Sequence, residues 1–336
     1  MRRNGGIPSS FRRALTFEKR LWAIPFYTCG WAWLLRQDLL EAKGLAPPST
    51  LAETLSAAVR LTDPGQRLAG WALPLLRSSE GETLVHQVIL GFGGALADEQ
   101  GRRVVLASPE TVEAVGFLAG ILRNPDLRRS LPSDPRDWLA PTREAGFLAG
   151  RIAMAPVSAE LYSRIVRERS FPRKALRALS PPAGPKRRAT TAEGYLFVVS
   201  RETRHPELCL DLIGELLSPG RLGQLILETD GAVVPAYANL THHPFWDGDP
   251  LREVFATNAR GDPSRQLEFA EFGYPGPVSS GAAEVHARLV LGEALARCAE
   301  DGISPETAVR EAHRRAERIY DDVNRTMAAF RRGDRR

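Results

Sequence analysis

The sequence predicts an α/β protein built from two lobes or domains. Segments of strand character alternate with segments of helix character along the chain, which is the pattern of α/β architecture. The apolar run Gly194–Ser200 predicts a buried strand, and Ser108-Pro109-Glu110 supplies the cap, the proline and the acidic residue that begin a helix. A length of 336 residues corresponds to about two domains.

Composition and charge are those of a soluble globular protein. Hydrophobic residues make up 43% and charged residues 25% of the chain, which is ordinary for globular domains. The 45 basic residues exceed the 40 acidic ones and concentrate near both termini and at Lys186–Arg188. A nucleic-acid binder is one interpretation of that charge. However, no basic stripe is interleaved with stacking aromatic residues, so a solvated arginine-rich surface is favoured and no nucleic-acid partner is expected.

Cysteine usage and hydropathy disfavour several classes of protein. The three cysteines, Cys29, Cys209 and Cys298, lie far apart and form no CxxC pair. This pattern predicts reduced thiols rather than a zinc site or a redox dithiol. No apolar run reaches the ~18 residues that span a bilayer. The first 20 residues carry the basic charges of a signal peptide without the apolar core of one.

The stretch Leu21–Thr50 organises the rest of the chain. Pro25 lacks an N–H group and has a fixed φ, so we expect the chain to leave one sheet there and to enter another through the apolar run Trp31–Leu35. Phe26 and Tyr27 crowd this crossing together with two tryptophans. A crossing lined with aromatic faces is a place where a small polar ligand can lie.

Cap and turn signals predict the elements that follow. The segment Thr50–Glu53 is a capping box, and Asp63–Gly65 ends its helix. The glycines of Gly91–Gly94 indicate a tight turn with positive φ, which is favoured over a phosphate-binding loop because the residue order of a P-loop is missing. The other predictions in this half are strands at Gly70–Leu75, Arg103–Leu106 and Arg151–Val157, a helical or extended Leu84–Leu90, and helices from Ser108 and over Thr142–Gly150.

Prolines divide the second half of the chain. The segment Ser170–Arg188 contains four prolines and is predicted to be a linker. Pro206, Pro219 and Pro305 each follow a residue that can precede a helix, so helices are predicted to begin there. The segment Thr241–Asp262 is predicted to be an irregular loop.

A metal site and a catalytic centre are both disfavoured. His242 and His243 lie close to Asp247 and Asp249, but adjacent loop histidines point in different directions, so a solvated loop is favoured over a metal cluster. No GxSxG or HExxH motif occurs. The chain is therefore expected to be no enzyme and to hold neither a metal nor a cofactor.

Several short motifs together resemble a known family, the extracellular solute-binding proteins of ABC importers (family 1, carbohydrate-type, maltose-binding-protein-like). Their order and spacing match over residues 20 to 325, nearly the whole chain. The matching segments are Pro25–Tyr27, Gly30, Asp38, Gly44-Leu45, Pro47–Thr50, Phe147–Met154 and Glu193–Leu196.

The resemblance implies a two-lobed periplasmic-binding-protein-like fold of type II with an incomplete first lobe. Residues 1–25 and 188–236 would form what is present of the first lobe, residues 26–187 and 237–330 the second lobe, and residues 331–336 a basic tail. In the family many more residues precede the crossing than the 24 found before Pro25 here, so the sequence is interpreted as truncated or as read from a downstream start.

The resemblance also implies capture of a small polar solute, such as a sugar, an oligosaccharide or a related polyol, between the lobes for delivery to an ABC permease. The protein would be a monomer and either periplasmic or extracellular and membrane-anchored. It would be cytoplasmic if Met1 is the true start. Many carbohydrate-binding members have a stacking tryptophan, and here Glu160 falls near its place. Tyr27 and Tyr195 are expected to share one groove. The implied ligand-binding residues are Tyr27, Thr28, Trp31, Phe92, Gly94, Glu160, Tyr195 and Tyr274.

Two alternatives stay open. The chain could be a truncated remnant of such a protein that no longer binds solute, which predicts a poorly ordered first lobe. An arginine-rich nucleic-acid binder is less favoured and predicts a steeply salt-dependent affinity for DNA.

Overall fold

The computed structural model of the chain describes residues 6–7, 12, 15–17, 20–75, 77–191, 193–240, 243–246, 248–259, 261–262 and 267–333. Its elements fall into two compact units. The first unit comprises Met1–Gly44, Met154–Pro181 and Thr190–Phe269, and the second comprises Leu45–Ala153, Pro182–Ala189 and Ala270–Arg336. The lobe boundaries drawn from the sequence lie elsewhere and remain a prediction, because a compact unit groups segments by packing whereas a lobe is defined by how it moves.

The elements alternate between strand and helix, as the fold class requires. The strands are β1 (Thr16–Phe17), β2 (Arg20–Leu21), β3 (Ile24–Cys29), β4 (Trp31–Arg36), β5 (Met154–Ser158), β6 (Leu176–Leu179), β7 (Arg188–Thr190), β8 (Glu193–Phe197), β9 (Val234–Pro235) and β10 (Leu267–Phe269). The α-helices are α1 (Gln37–Ala42), α2 (Leu51–Leu61), α3 (Ser79–Phe92), α4 (Pro109–Arg123), α5 (Pro125–Arg128), α6 (Thr142–Leu148), α7 (Ala159–Glu168), α8 (Pro206–Leu216), α9 (Pro219–Glu228), α10 (Pro250–Asn258), α11 (Ser280–Ala287), α12 (Val290–Glu300) and α13 (Pro305–Gly333).

Two antiparallel sheets of the first unit are joined by a direct chain crossing. In one sheet β3 lies between β8 and β9, and in the other β4 lies between β5 and β6. The chain passes from β3 to β4 at Gly30, where an added Cβ atom would lie 2.4 Å from the carbonyl oxygen of Phe255. A glycine is therefore required at this crossing, because only glycine allows so close an approach of two backbones.

The predicted change of sheet at Pro25 is wrong in position. Pro25 lies inside β3 and faces Leu196 of β8. The register shifts between Pro25 and Tyr27, and a β-bulge is one of the places where a strand tolerates a residue without an N–H group. The aromatic run is therefore part of the strand, and the bend follows at Gly30.

Local cap chemistry positions the helices of the second unit. Thr50 and Glu53 form both hydrogen bonds of the predicted capping box at the start of α2. The Ser108 hydroxyl accepts a hydrogen bond from the Thr111 N–H at the start of α4, and Gly93, with a φ of +99°, ends α3. The capping box and the helix start are confirmed. Of the predicted turn Gly91–Gly94, Gly91 and Phe92 belong to α3, and the positive φ is found at Gly93. Helices α3, α4, α12 and α13 then pack on one another and form the helical core of this unit.

Four expectations about local structure are wrong. Gly70–Leu75 forms neither a strand nor a bridge, and Arg103–Leu106 has only the isolated bridge of Val104 to Ala97. The predicted linker Ser170–Arg188 contains β6, which pairs with β4. The predicted loop Thr241–Asp262 contains α10, which Asp249 caps by accepting a hydrogen bond from a backbone N–H of the first turn. Pairing with a distant strand explains β6, and a helix cap that the sequence analysis overlooked explains α10.

Helix α8 is apolar on faces that packing does not cover. Ile213 lies in the core of the first unit, together with residues of α9. By contrast, Leu208 and Leu212 lie one turn apart on the surface and are 68% and 59% exposed, and Leu216 continues the row. Leucines at this spacing form an apolar stripe, which in a surface helix normally packs against another element. The row is therefore either a contact surface or an aggregation liability.

We expect the double substitution Leu208→Glu and Leu212→Glu to lower binding of the apolar dye ANS to the folded protein, because it removes this exposed row. The free energy of unfolding should change by no more than about 0.5 kcal/mol, since both side chains lie outside the core. Val105→Glu, which alters an exposed apolar side chain of the second unit, is the matched control. Equal dye fluorescence for the parent and the double variant would contradict this account of α8.

Candidate functional site

An aromatic pair lies on the two paired strands β3 and β8. Tyr27 faces Tyr195 in the strand register, and their rings stack with centroids 4.5 Å apart and an interplanar angle of 20°. Phe26 packs edge-on against Tyr27 at 4.8 Å and also contacts the Phe197 ring at 4.9 Å. Cross-strand aromatic pairs of this kind fix one another's rotamers. The pair therefore offers a pre-positioned aromatic surface.

The outer member of this pair faces solvent. Tyr195 is 48% exposed, so about half of this residue's surface is open to solvent. Thr28, the neighbour of Tyr27, is buried, and its hydroxyl has no hydrogen-bond partner among the described residues. The structure thus brings the predicted residues Tyr27, Thr28 and Tyr195 together. Of Thr28 and Tyr195, only Tyr195 has a substantial solvent-accessible surface.

The remaining predicted residues of the first unit lie around the start of α7. Trp31 pairs with Ser158 in the register of β4 and β5, and its carbonyl oxygen accepts a hydrogen bond of 2.9 Å from the Asn258 side chain. Ser158 caps α7 by accepting a hydrogen bond from the Leu161 N–H. Glu160 follows in the first turn of α7 and is exposed, which leaves its carboxylate open to polar partners.

The predicted residues of the second unit lie at the end of α3 and in the segment before α11. The Phe92 ring is 5.8 Å from that of Phe117. Gly94 is buried, and an added Cβ atom there would lie 2.5 Å from the Thr111 hydroxyl oxygen, so its role is a close contact of the chain with itself. Tyr274 is half-buried beside the core residues Leu90, Ala189 and Ala270, and the Arg187 guanidinium lies 5.9 Å from its ring centroid.

The first unit also contains a buried polar network, which the sequence analysis did not predict. Asp249 is 1% exposed, although the sequence placed it in a solvated loop. Its carboxylate accepts hydrogen bonds from the Tyr162 hydroxyl at 2.8 Å and from the Leu251 N–H at 3.1 Å. Arg173 and Arg252 approach the same carboxylate at 3.3 and 3.9 Å. The solvated-loop prediction is therefore wrong for Asp249, because two cations and a phenol compensate its burial.

This network holds side chains in place rather than offering them to a ligand. Burial, and then the hydrogen bond to Asp249, raise the pKa of Tyr162 well above its ordinary value. The Tyr162 ring also stacks on Phe255, and Arg252 lies over the Phe245 ring at 4.6 Å. The signal that could have located this network is the dipeptide Asp249-Pro250, a cap followed by proline at the first helical position.

Other expected features can be placed only in part. Within the described residues, no group of three or more histidine, cysteine, aspartate and glutamate side chains is arranged to hold a metal ion, and His242 and Asp247 lie outside them. Cys209 and Cys298 are free thiols. Residues 334–336 of the predicted basic tail also lie outside the described residues. None of the helices in the described part of the chain combines the length and apolar character needed to cross a bilayer.

Solved structures with the same fold include several sugar-binding and polyol-binding proteins. A solute-binding protein of an ABC transporter from Thermotoga lettingae, bound to α-D-tagatose, has a TM-score of 0.75 and 19% identity over 94% of this chain and 76% of that chain. The maltose-bound MalE3 of T. maritima also has a TM-score of 0.75 and 19% identity, over 93% and 76%. A protein from Agrobacterium radiobacter K84 in complex with ribitol has a TM-score of 0.71 and 19% identity, over 93% and 75%.

The fold is thus the two-lobed α/β fold of periplasmic binding proteins, as predicted, and the chain spans about three quarters of the length of these structures. No curated protein sequence matches the chain. The family model for bacterial extracellular solute-binding proteins matches residues 4–221, more than half of the chain. The resemblance read from the segments between Pro25 and Leu196 is confirmed, and the chain belongs to the family of bacterial extracellular solute-binding proteins.

Proposed function

We propose that this protein is the solute-binding component of an ABC importer, that its ligand is a small sugar, an oligosaccharide or a polyol, and that it delivers this ligand to a membrane permease. Family membership supports a role in transport rather than catalysis. The tagatose, maltose and ribitol held by the similar structures support the ligand class. The observation that carries the proposal is the stacked pair of Tyr27 and Tyr195 with its outer ring exposed.

The chemistry of these side chains suits a sugar. A pyranose or a polyol has apolar C–H faces and a rim of hydroxyl groups, so it pairs with an aromatic ring on one side and polar groups around it. Tyr195 supplies both a ring face and a hydroxyl group, and the exposed carboxylate of Glu160 can accept hydrogen bonds from ligand hydroxyls. Within the first unit, the proposal keeps Trp31 as a further contact and gives the buried Thr28 a supporting role.

We expect Tyr195→Ala to weaken sugar binding about tenfold, because the stacking surface is lost. Isothermal titration calorimetry of the full chain with tagatose, maltose and ribitol measures this. Tyr195→Phe should retain most of the affinity, since the ring remains. Leu208→Ala, which shortens an exposed side chain of α8, is the control and should bind like the parent. Absence of heat with every ligand, for a chain shown to be folded by circular dichroism, would count against the proposal.

A second candidate function is a remnant of such a protein that no longer binds solute. The exposed row Leu208, Leu212 and Leu216 favours it, because an apolar stripe of a surface helix is normally covered by a neighbouring element. The two candidates differ in hydrogen exchange of the first unit. Protection of β3 and β8 amides that increases with added sugar supports solute binding, whereas rapid exchange that sugar leaves unchanged supports the remnant.

A further inference from the structure

A second candidate binding site lies entirely within the second unit, and its lining includes none of the proposed sugar-binding residues. It is an open pocket of about 450 Å³ between the end of α2, the loop after α5 and the end of α6. This volume falls in the range of pockets that hold small molecules. We call it the arginine pocket, after the three arginines in its lining, Arg67, Arg129 and Arg151.

The three arginines reach the arginine pocket from separate parts of the chain. In the described residues neither Arg67 nor Arg151 forms an ion pair, and Arg129 pairs with Asp126 only at the surface. Asp137 is the one carboxylate in the described lining, so the walls carry three positive charges against one negative charge. A pocket lined by more guanidinium groups than carboxylates attracts an anion.

The floor of the arginine pocket is apolar and fixed. Leu131 and Ile152 line it and are buried, and Ala69 bridges to Ile152 in a short parallel contact. Ser133 contributes an exposed hydroxyl group to the rim. A cavity with an apolar floor and a cationic rim is suited to a molecule that has an apolar body and an anionic end.

The backbone that carries these arginines is held by specific hydrogen bonds. Arg67 has a φ of +54°, in the left-handed region that few residues other than glycine adopt, and its N–H donates to the Pro64 carbonyl oxygen. The Arg151 N–H donates to the Gly146 carbonyl oxygen and so follows directly on the end of α6. Arginines mounted on fixed turns lose less freedom on binding than arginines on a loose loop.

We propose that the arginine pocket binds a small molecule with a phosphate or carboxylate group attached to a compact apolar body. Guanidinium groups form paired, charge-assisted hydrogen bonds with both kinds of oxyanion. Leu131 and Ile152 receive the apolar body, and Arg67 and Arg151 hold the anionic group. The site is independent of the proposed sugar-binding residues, all of which lie outside the lining of this pocket.

Calorimetry at low ionic strength with the full chain tests this assignment. The probes are phenyl phosphate, benzoate, inorganic phosphate and the neutral benzyl alcohol. We expect phenyl phosphate or benzoate to bind, inorganic phosphate to bind more weakly because it lacks the apolar body, and benzyl alcohol to give no measurable heat. Raising the salt concentration should weaken binding of the anionic probes, since exposed charges are screened. The comparison of phenyl phosphate with benzoate identifies the preferred oxyanion.

The double substitution Arg67→Ala and Arg151→Ala should weaken binding of the better probe by about tenfold or more, because two charge-assisted contacts are lost. Arg102→Ala removes another exposed arginine of the same unit that does not line the pocket, and it should leave the affinity unchanged. Circular dichroism checks that each variant folds. Binding of neither anionic probe, or equal affinity for the parent and the double variant, overturns the proposal. Sugar titration of the double variant should match the parent, which separates this test from that of the sugar site.

Discussion

Replacing Asp249 with Ala should lower the free energy of unfolding by about 3–5 kcal/mol, the range for breaking a buried charge network by removing one partner. The carboxylate is nearly inaccessible and accepts hydrogen bonds from the Tyr162 hydroxyl and from the first turn of α10. Without it, the buried phenol loses its acceptor, the guanidinium of the mostly buried Arg252 loses a neighbouring anion, and α10 loses its cap. Urea denaturation followed by circular dichroism measures the change.

Two further variants separate these contributions. Asp249→Asn keeps the cap through its one amide oxygen, and its NH2 group can donate to the Tyr162 hydroxyl oxygen, so we expect it to lose only about 1–2 kcal/mol. Tyr162→Phe removes one hydroxyl and should lose about 1 kcal/mol. Combining Tyr162→Phe with Asp249→Ala should cost less than the sum of the two single changes, because they share one hydrogen bond. Full additivity, or a loss below about 1 kcal/mol for Asp249→Ala, would show that the network is not a stabilising unit.

The sequence pattern was most informative where structure is decided locally. The capping box at Thr50, the Ser-Pro-Glu start at Ser108 and the glycine turn after Phe92 all depend on residues within a few positions of one another. The helices expected at Pro206, Pro219 and Pro305 are α8, α9 and α13 for the same reason. The strand expected at Gly194–Ser200 is β8, which covers Glu193–Phe197, but its predicted burial is wrong. Tyr195 and Leu196 are 48% and 44% exposed, and Val198 after the strand is 72% exposed, because apolar composition alone does not show which faces packing covers.

Pairing between distant segments could not be read in the same way. The segment that contains Leu176–Leu179 is rich in proline and arginine and has no strand pattern of its own, yet it pairs with β4 with Leu179 opposite Trp33. Such a strand exists because a partner edge is available, which is a non-local property. The bulge that lets Pro25 sit inside β3 is likewise visible only in the register with β8.

The two candidate sites also differ in whether the sequence could predict them. Tyr27 and Tyr195 were expected to share one groove because the motifs around them are distinctive, and the structure stacks their rings across paired strands. Their role toward a ligand stays a prediction. The arginine pocket could not be predicted from the sequence, because Arg67, Arg129 and Arg151 are scattered among many other arginines. Only the packing of α2, α5 and α6 brings them to one pocket.

Stability should also fall as the pH rises from about 4.5 to about 7, because of Glu82. This side chain is fully buried in α3, and its carboxyl group accepts hydrogen bonds from the Leu291 and Gly292 N–H groups at 3.0 and 2.6 Å. Burial raises the pKa of Glu82 from 4.5 to about 7, against the opposing effect of these N–H groups and of Arg315. The folded state therefore keeps a proton that the unfolded chain has already released.

The direction of the change in stability with pH follows from this difference in bound protons between the folded and unfolded states. Below pH 4.5 both states are protonated at Glu82 and its contribution is fully present, and between pH 4.5 and 7 it declines to a lower plateau. The shift corresponds to about 3 kcal/mol. Glu82→Gln does not titrate, so other ionisable groups cancel in the comparison with the parent. Its single amide oxygen can accept from only one of the two N–H groups, and the cost of losing the other bond does not depend on pH. The difference in unfolding free energy, parent minus variant, should drop by about 3 kcal/mol between pH 4.5 and 7.5 in urea denaturation. A difference that stays constant across this interval would mean that Glu82 ionises at its ordinary pKa, with the α12 N–H groups outweighing its burial.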